Sequence, residues 1–194
     1  MRRLLTLAPL AVLVALTALF GLYALRHDPK VEPAALVGKP LPHLTLPALE
    51  DGRPVRLRDL AGGRPMVVNF FASWCAPCEV EAPQLNALAA RGVRVIGVAY
   101  KDKPEKTRAF LARLGDPFTA RLVDADGRAG IEFGVSGVPE TFLIGADGMI
   151  LDKHTGPLEA ADVEALAKRA RIGVSAQPAP IVPEGSNGQV RADR

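Results

Sequence analysis

The only two cysteines of this 194-residue chain stand together in Trp74-Cys75-Ala76-Pro77-Cys78, where a strand pattern gives way to a helix pattern. Upstream, Met66–Phe71 (MVVNFF) is a short apolar run that suits a strand buried on both faces. Downstream, Pro77 to Ala90 predicts a helix, with Val80, Leu85, Leu88 and Ala89 near helical spacing. Pro77 fits the first turn of a helix, where its missing N–H costs nothing. A covered strand that feeds directly into a helix points to α/β architecture.

That junction carries chemistry. A helix start presents unpaired backbone N–H groups and the positive end of the macrodipole. Both favour a thiolate at Cys75 and make it the attacking sulfur. Two intervening residues put Cys78 one turn on, where it can resolve a mixed disulfide. Three other readings stay open. A structural disulfide over so short a loop restricts the unfolded chain little. A closed zinc site wants four ligands, and no second Cys pair exists; His27, His43 and His154 lie at no ligand spacing from the motif. Two inert buried thiols are the third.

The rest of the chain alternates strand and helix patterns. Leu41–Leu49 reads as a proline-interrupted edge strand, and Pro54–Leu57 returns after the Asp51-Gly52 turn. Strands are expected at Val93–Ala99, Ala120–Val123, Thr141–Gly145 and Met149–His154, the last two joined as a hairpin. Helices are expected at Lys103–Leu114, Ala129–Phe133 and Pro157–Ile172. The domain therefore spans residues 41–173, after a linker at 27–40 and before a Pro-, Gly- and Ser-rich tail at 174–194 that reads as disordered.

Residues 1–26 decide the compartment. Leu4–Leu25 carries no charge and is long enough to span a bilayer. Arg2 and Arg3 precede it, which favours keeping that end in the cytoplasm. The competing reading is a cleaved signal peptide, but the apolar stretch is long and ends in no Ala-x-Ala. Either way the domain lies outside the cytoplasm, where disulfide chemistry is possible. Hydrophobic residues make up 48% of the chain, which excludes disorder throughout. A net charge of +3 without a dense Lys/Arg block gives no nucleic-acid footprint.

The sequence resembles thioredoxin-fold proteins: VVNFFASWCAPC looks like their strand-to-active-site segment, and Gly137-Val138-Pro139-Glu140-Thr141 like the loop whose cis-proline faces the CxxC pair. The likeness is closest to the membrane-anchored thiol:disulfide interchange proteins of cytochrome c maturation, the DsbE/CcmG type. It is carried by Trp74–Cys78 with Glu81, Gly97–Lys103 (GVAYKDK), Leu114–Phe118 (LGDPF), Gly137–Ile144 (GVPETFLI), the Asp147-Gly148 turn and His154–Gly156 (HTG).

The resemblance implies a thioredoxin fold, a central mixed sheet flanked by helices, with an N-terminal β-hairpin extension and one preceding transmembrane helix. It implies a protein-disulfide reductase on the periplasmic side of the inner membrane, single-pass, without metal or organic cofactor. Its clients would be apocytochrome c or a maturation protein, and its electron donor a membrane protein of the DsbD or CcdA type. Other readings are a general TlpA-like reductase, a copper-binding metallochaperone module and, disfavoured for want of another cysteine, a peroxidase.

Residue roles follow from the same likeness. Cys75 is the nucleophile and Cys78 the resolving thiol; Pro139 shapes the groove that receives the client, with Trp74, Val138 and Glu140 along it. Asn69 stands where thioredoxin has a buried Asp, and Asn cannot relay a proton. Glu81, three residues past Cys78 on the same helix face, or Glu140 is expected to exchange the Cys78 proton instead. The plainer readings are surface acids for both, a rigid turn at Pro139, a core Trp74, and a strand-end turn for Tyr100-Lys101-Asp102.

Overall fold

The computed structural model describes residues 12–22 and 36–172. Residues 12–22 form helix α1, a unit by itself. Among the described residues no helix is long and apolar enough to cross a membrane. The remainder of the Leu4–Leu25 run, residues 27–35 of the linker and the tail at 174–194 lie outside the described residues.

The second unit opens with β1 (Thr45–Pro47) and β2 (Pro54–Arg56), a small antiparallel ladder, followed by the short helix α2 (Leu57–Ala61). The ladder is shorter than the sequence pattern implied. Leu57 turns away into α2 instead of extending β2, with its N–H donating to Leu44 O. Gly62 ends α2 in the left-handed region at φ 53, which a residue without Cβ adopts at no steric cost.

The central sheet then forms from β3 (Met66–Phe71), α3 (Ala76–Ala90), β4 (Val95–Tyr100), α4 (Pro104–Leu114), β5 (Ala120–Asp124), α5 (Arg128–Glu132), β6 (Glu140–Ile144), β7 (Ile150–Thr155) and α6 (Ala160–Ile172). Its order is β5-β4-β3-β6-β7. β3 runs parallel to β4 and antiparallel to β6, so the sheet is mixed. The expected elements of this sheet are present, β3 with the expected ends and the others with ends shifted by at most three residues. α6 starts at Ala160 and not at Pro157, and the Leu158 N–H before it donates to Glu81.

β3 is buried along its whole length. Val67 and Phe71 face one side, with Leu85 and Leu88 of α3, Phe110 of α4 and Leu166 of α6. Met66, Val68 and Phe70 face the other, with Leu57 of α2, Ala129 of α5 and Phe142. Val80 does not share the buried face of Leu85 and Leu88. Val80 is 68% exposed, because the buried face of α3 runs through Cys78, Glu81, Ala82, Leu85 and Leu88. At 3.6 residues per turn, Val80 stands nearly opposite that face.

Close approach dictates one glycine. A Cβ on Gly97 of β4 would lie 2.7 Å from the Phe118 ring, which itself stacks on Phe71 at 4.8 Å. Both rings are buried. Gly97→Ala is therefore expected to cost about 1–3 kcal/mol by overpacking, read as a lower urea midpoint at unchanged slope.

Candidate active site

Cys75 is the N-cap residue of α3, in extended conformation, with Pro77 in the first turn. Cys75 and Cys78 are joined as a disulfide. The Cys78 backbone N–H donates to Cys75 Sγ at 3.1 Å, so the cap of the helix is the sulfur itself. Such a donor, together with the helix dipole, stabilises charge on that sulfur when the bond is reduced. The disulfide is sheltered: Cys75 is 4% exposed and Cys78 2%. Trp74, Ala76 and Pro77 around it are exposed.

The loop before β6 meets this pair. The Val138–Pro139 peptide is cis, and Val138 O lies 3.4 Å from Cys75 Sγ. Val138 is half-buried and Pro139 buried.

Glu81 is wholly buried, one turn beyond Cys78. Asn69 Nδ2 donates to its Oε1 at 2.9 Å, and the Leu158 N–H to its Oε2 at 3.2 Å. The same Asn69 amide donates to Thr141 Oγ1 at 3.0 Å, across the β3–β6 ladder where the two residues are paired. Burial pushes the Glu81 carboxyl up to about 7, against the two hydrogen bonds that favour its charged form. Glu81 and Cys78 line one small cavity with Phe71, Ala82, Phe110 and Phe118, a space on the scale of one water. Glu81 is thus a buried acid and no surface group, titrating where a thiol proton can be exchanged.

Glu140 is also buried, but it is placed differently. It pairs in register with Phe70, whose side chain packs on the face of the sheet opposite the cysteines. Ser136 donates to Glu140 Oε1 from its backbone N–H at 3.1 Å and from its hydroxyl at 2.6 Å. Lys153 Nζ stands 3.0 Å from Oε2 and donates to Gly134 O at 2.9 Å. These contacts lash down residues 134–136, the approach to the cis-proline loop.

Trp74 is 58% exposed, which removes the reading of a core tryptophan. Its indole N–H donates to Lys101 O at 3.2 Å. Tyr100-Lys101-Asp102 forms the turn at the end of β4, and its Asp102 is a buried acceptor that no sequence pattern signals. Asp102 is 6% exposed and binds Ser73, immediately before Trp74. Among the described residues, no group of three or more His, Cys, Asp or Glu side chains is arranged to hold a metal ion.

Comparison with known proteins agrees with this geometry. The Redoxin family pattern matches residues 36–168. The chain is 44% identical over 155 residues to the thiol:disulfide interchange protein DsbE of Allochromatium vinosum, covering 79% of this chain and 85% of that protein. It is 42% identical over 139 residues to the thiol:disulfide interchange protein HelX of Rhodobacter capsulatus, covering 71% and 79%. Among solved structures, it superposes with TM-score 0.57 and 28% identity on a secreted Mycobacterium tuberculosis disulfide oxidoreductase homologous to E. coli DsbE, covering 66% of this chain and 95% of that one.

The Glu81 carboxyl gives a pH signature. Its folded value of about 7 lies above the ordinary 4.5, so between these values the folded state binds more protons than the unfolded. Its contribution is favourable below about pH 4.5 and is lost as pH rises through 7, a change of roughly 3 kcal/mol. In the disulfide form the cysteines do not titrate, and the difference between the denaturant-midpoint profiles of the unaltered protein and Glu81→Gln isolates this group. Glu81→Gln is expected to flatten the decline in stability between pH 5 and 8.

Proposed function

Because the chain belongs to the Redoxin family and, within it, to the DsbE-type thiol:disulfide interchange proteins, we propose that it reduces disulfides of apocytochrome c, or of a protein partner in cytochrome c maturation, outside the cytoplasm. The observation that carries the reading is the Cys78 N–H aimed at Cys75 Sγ at the start of α3. It supports Cys75 as the attacking thiolate.

In the forward reaction, Cys75 thiolate attacks one sulfur of the client disulfide. A mixed disulfide forms, and the client's other sulfur leaves as a thiolate and takes up a proton. Cys78 gives its proton to Glu81 and attacks Cys75 Sγ. The Cys75–client bond breaks and the second client thiol is released, so the client gains two electrons and this protein becomes the Cys75–Cys78 disulfide. A membrane donor of the DsbD or CcdA type would return those electrons. The exposed Trp74 and the Val138–Pro139 segment beside Cys75 support a client groove there. Glu140 acts on that groove through the 134–136 segment it holds.

The uncharged Leu4–Leu25 run after Arg2 and Arg3 supports a single-pass anchor in the inner membrane, with the domain on the periplasmic side. In an oxidising compartment a dedicated reductase is needed to keep haem-attachment thiols free.

Cys75→Ser is expected to abolish disulfide reduction, and Cys78→Ser to trap a mixed disulfide with the client in the native cell envelope. Captured proteins without haem-attachment cysteines or a maturation role would point to general disulfide reduction. Equilibration with glutathione should give a potential nearer about −270 mV than the about −120 mV of a strong oxidant. An oxidant-like value would reverse the direction of electron flow.

A further inference from the structure

The two residues before Cys75 are both tied to one turn at the end of β4. Asp102 Oδ2 accepts from the Ser73 backbone N–H at 2.7 Å, and its Oδ1 from the Ser73 hydroxyl at 2.8 Å. The same carboxylate accepts from the Lys103 N–H at 2.8 Å and the Thr107 hydroxyl at 2.9 Å. Four donors fill the acceptor capacity of an ionised carboxylate. An amide in its place has one oxygen, and its NH2 would face donors.

The turn itself is braced. Lys101, at φ 47, is the one non-glycine residue with positive φ among the described residues. Its carbonyl takes the Trp74 indole N–H, and its own N–H donates to Asp124 O at 2.8 Å. Its side chain fills the space beside Gly127, and the Tyr100 ring the space beside Gly130, so that a Cβ at either glycine would collide. Backbone held in a sparsely populated region needs such surrounding support.

We propose that Asp102 is a positioning residue for Cys75: through Ser73 it fixes the backbone entering α3, so that Cys75 Sγ stays aligned with the Cys78 N–H. The inference rests on Cys75 being the attacking thiolate. Its sign separates it from a simple charge effect. A carboxylate near a thiol opposes the thiolate, so removing the charge alone lowers the thiol pKa. Removing the alignment weakens the sulfur's hydrogen bond and raises it.

The test is the pH dependence of Cys75 alkylation in the full reduced chain, alongside thermal melting. Asp102→Asn is expected to raise the Cys75 midpoint by about one unit. Thr107→Val removes a donor on the far side of Asp102 and leaves both Ser73 bonds. It is expected to lower the melting temperature without moving the midpoint. A lowered or unchanged midpoint in Asp102→Asn overturns the proposal, as does an equal shift in Thr107→Val. If Asp102→Asn does not fold, Ser73→Ala reads the same direction: a rise supports the proposal, and no rise overturns it. If unaltered Cys75 titrates no lower than a free thiol at about 8.5, the reading of Cys75 as nucleophile fails instead, whatever Asp102 does.

Discussion

One backbone N–H, that of Cys78, donates to one sulfur, that of Cys75, and the rest of the site is arranged to keep that contact. Helix starts ordinarily satisfy their free N–H groups with a side-chain oxygen. Here a sulfur takes that place, so the need to cap the helix and the need to stabilise a thiolate are met by the same hydrogen bond. The arrangement works only if the chain arrives at Cys75 in a defined direction. β3, buried on both faces, gives the approach its rigidity. Asp102 secures the bend between β3 and α3 through Ser73.

The sheet divides two buried acids between its faces. On the cysteine face, Glu81 is held by Asn69 and Leu158 and is raised towards neutrality by burial. On the other face, Glu140 is matched by Lys153 and Ser136, and its contacts order the loop that reaches Cys75. Adjacent residues on a strand point to opposite sides. The β3–β6 register therefore sets Thr141 with Asn69 on one face and Glu140 with Phe70 on the other. One ladder thus distributes an acid beside the cysteines and a loop-holding acid to separate places.

Much of the architecture was legible because it is local. MVVNFF marks β3 by its unbroken apolar run, and the alternation of short apolar runs with helical spacing marks the order of the remaining elements. Two elements depart from their local pattern. Val80 lies near the helical spacing of Leu85 and Leu88, but helix phase is set by the residues around it, and Cys78 and Glu81 occupy the buried side. Leu57 continued the strand pattern of Pro54–Arg56 and became helical, with its N–H bonded to Leu44. For Leu57 a contact from outside its own segment outweighed the local pattern; for Val80 the phase of its own helix did.

The sequence alone determined the cysteine pair and its place at a strand-to-helix junction, because spacing and helix polarity are properties of neighbouring residues. It did not determine which acids surround the pair or what holds the pair in line. Glu81 meets Leu158 across 77 residues, Asn69 meets Thr141 across 72, and Ser73 meets Asp102 across 29. Only the closed sheet brings these groups within hydrogen-bond reach, and only its interior removes the water that would otherwise leave Glu81 an ordinary carboxylate.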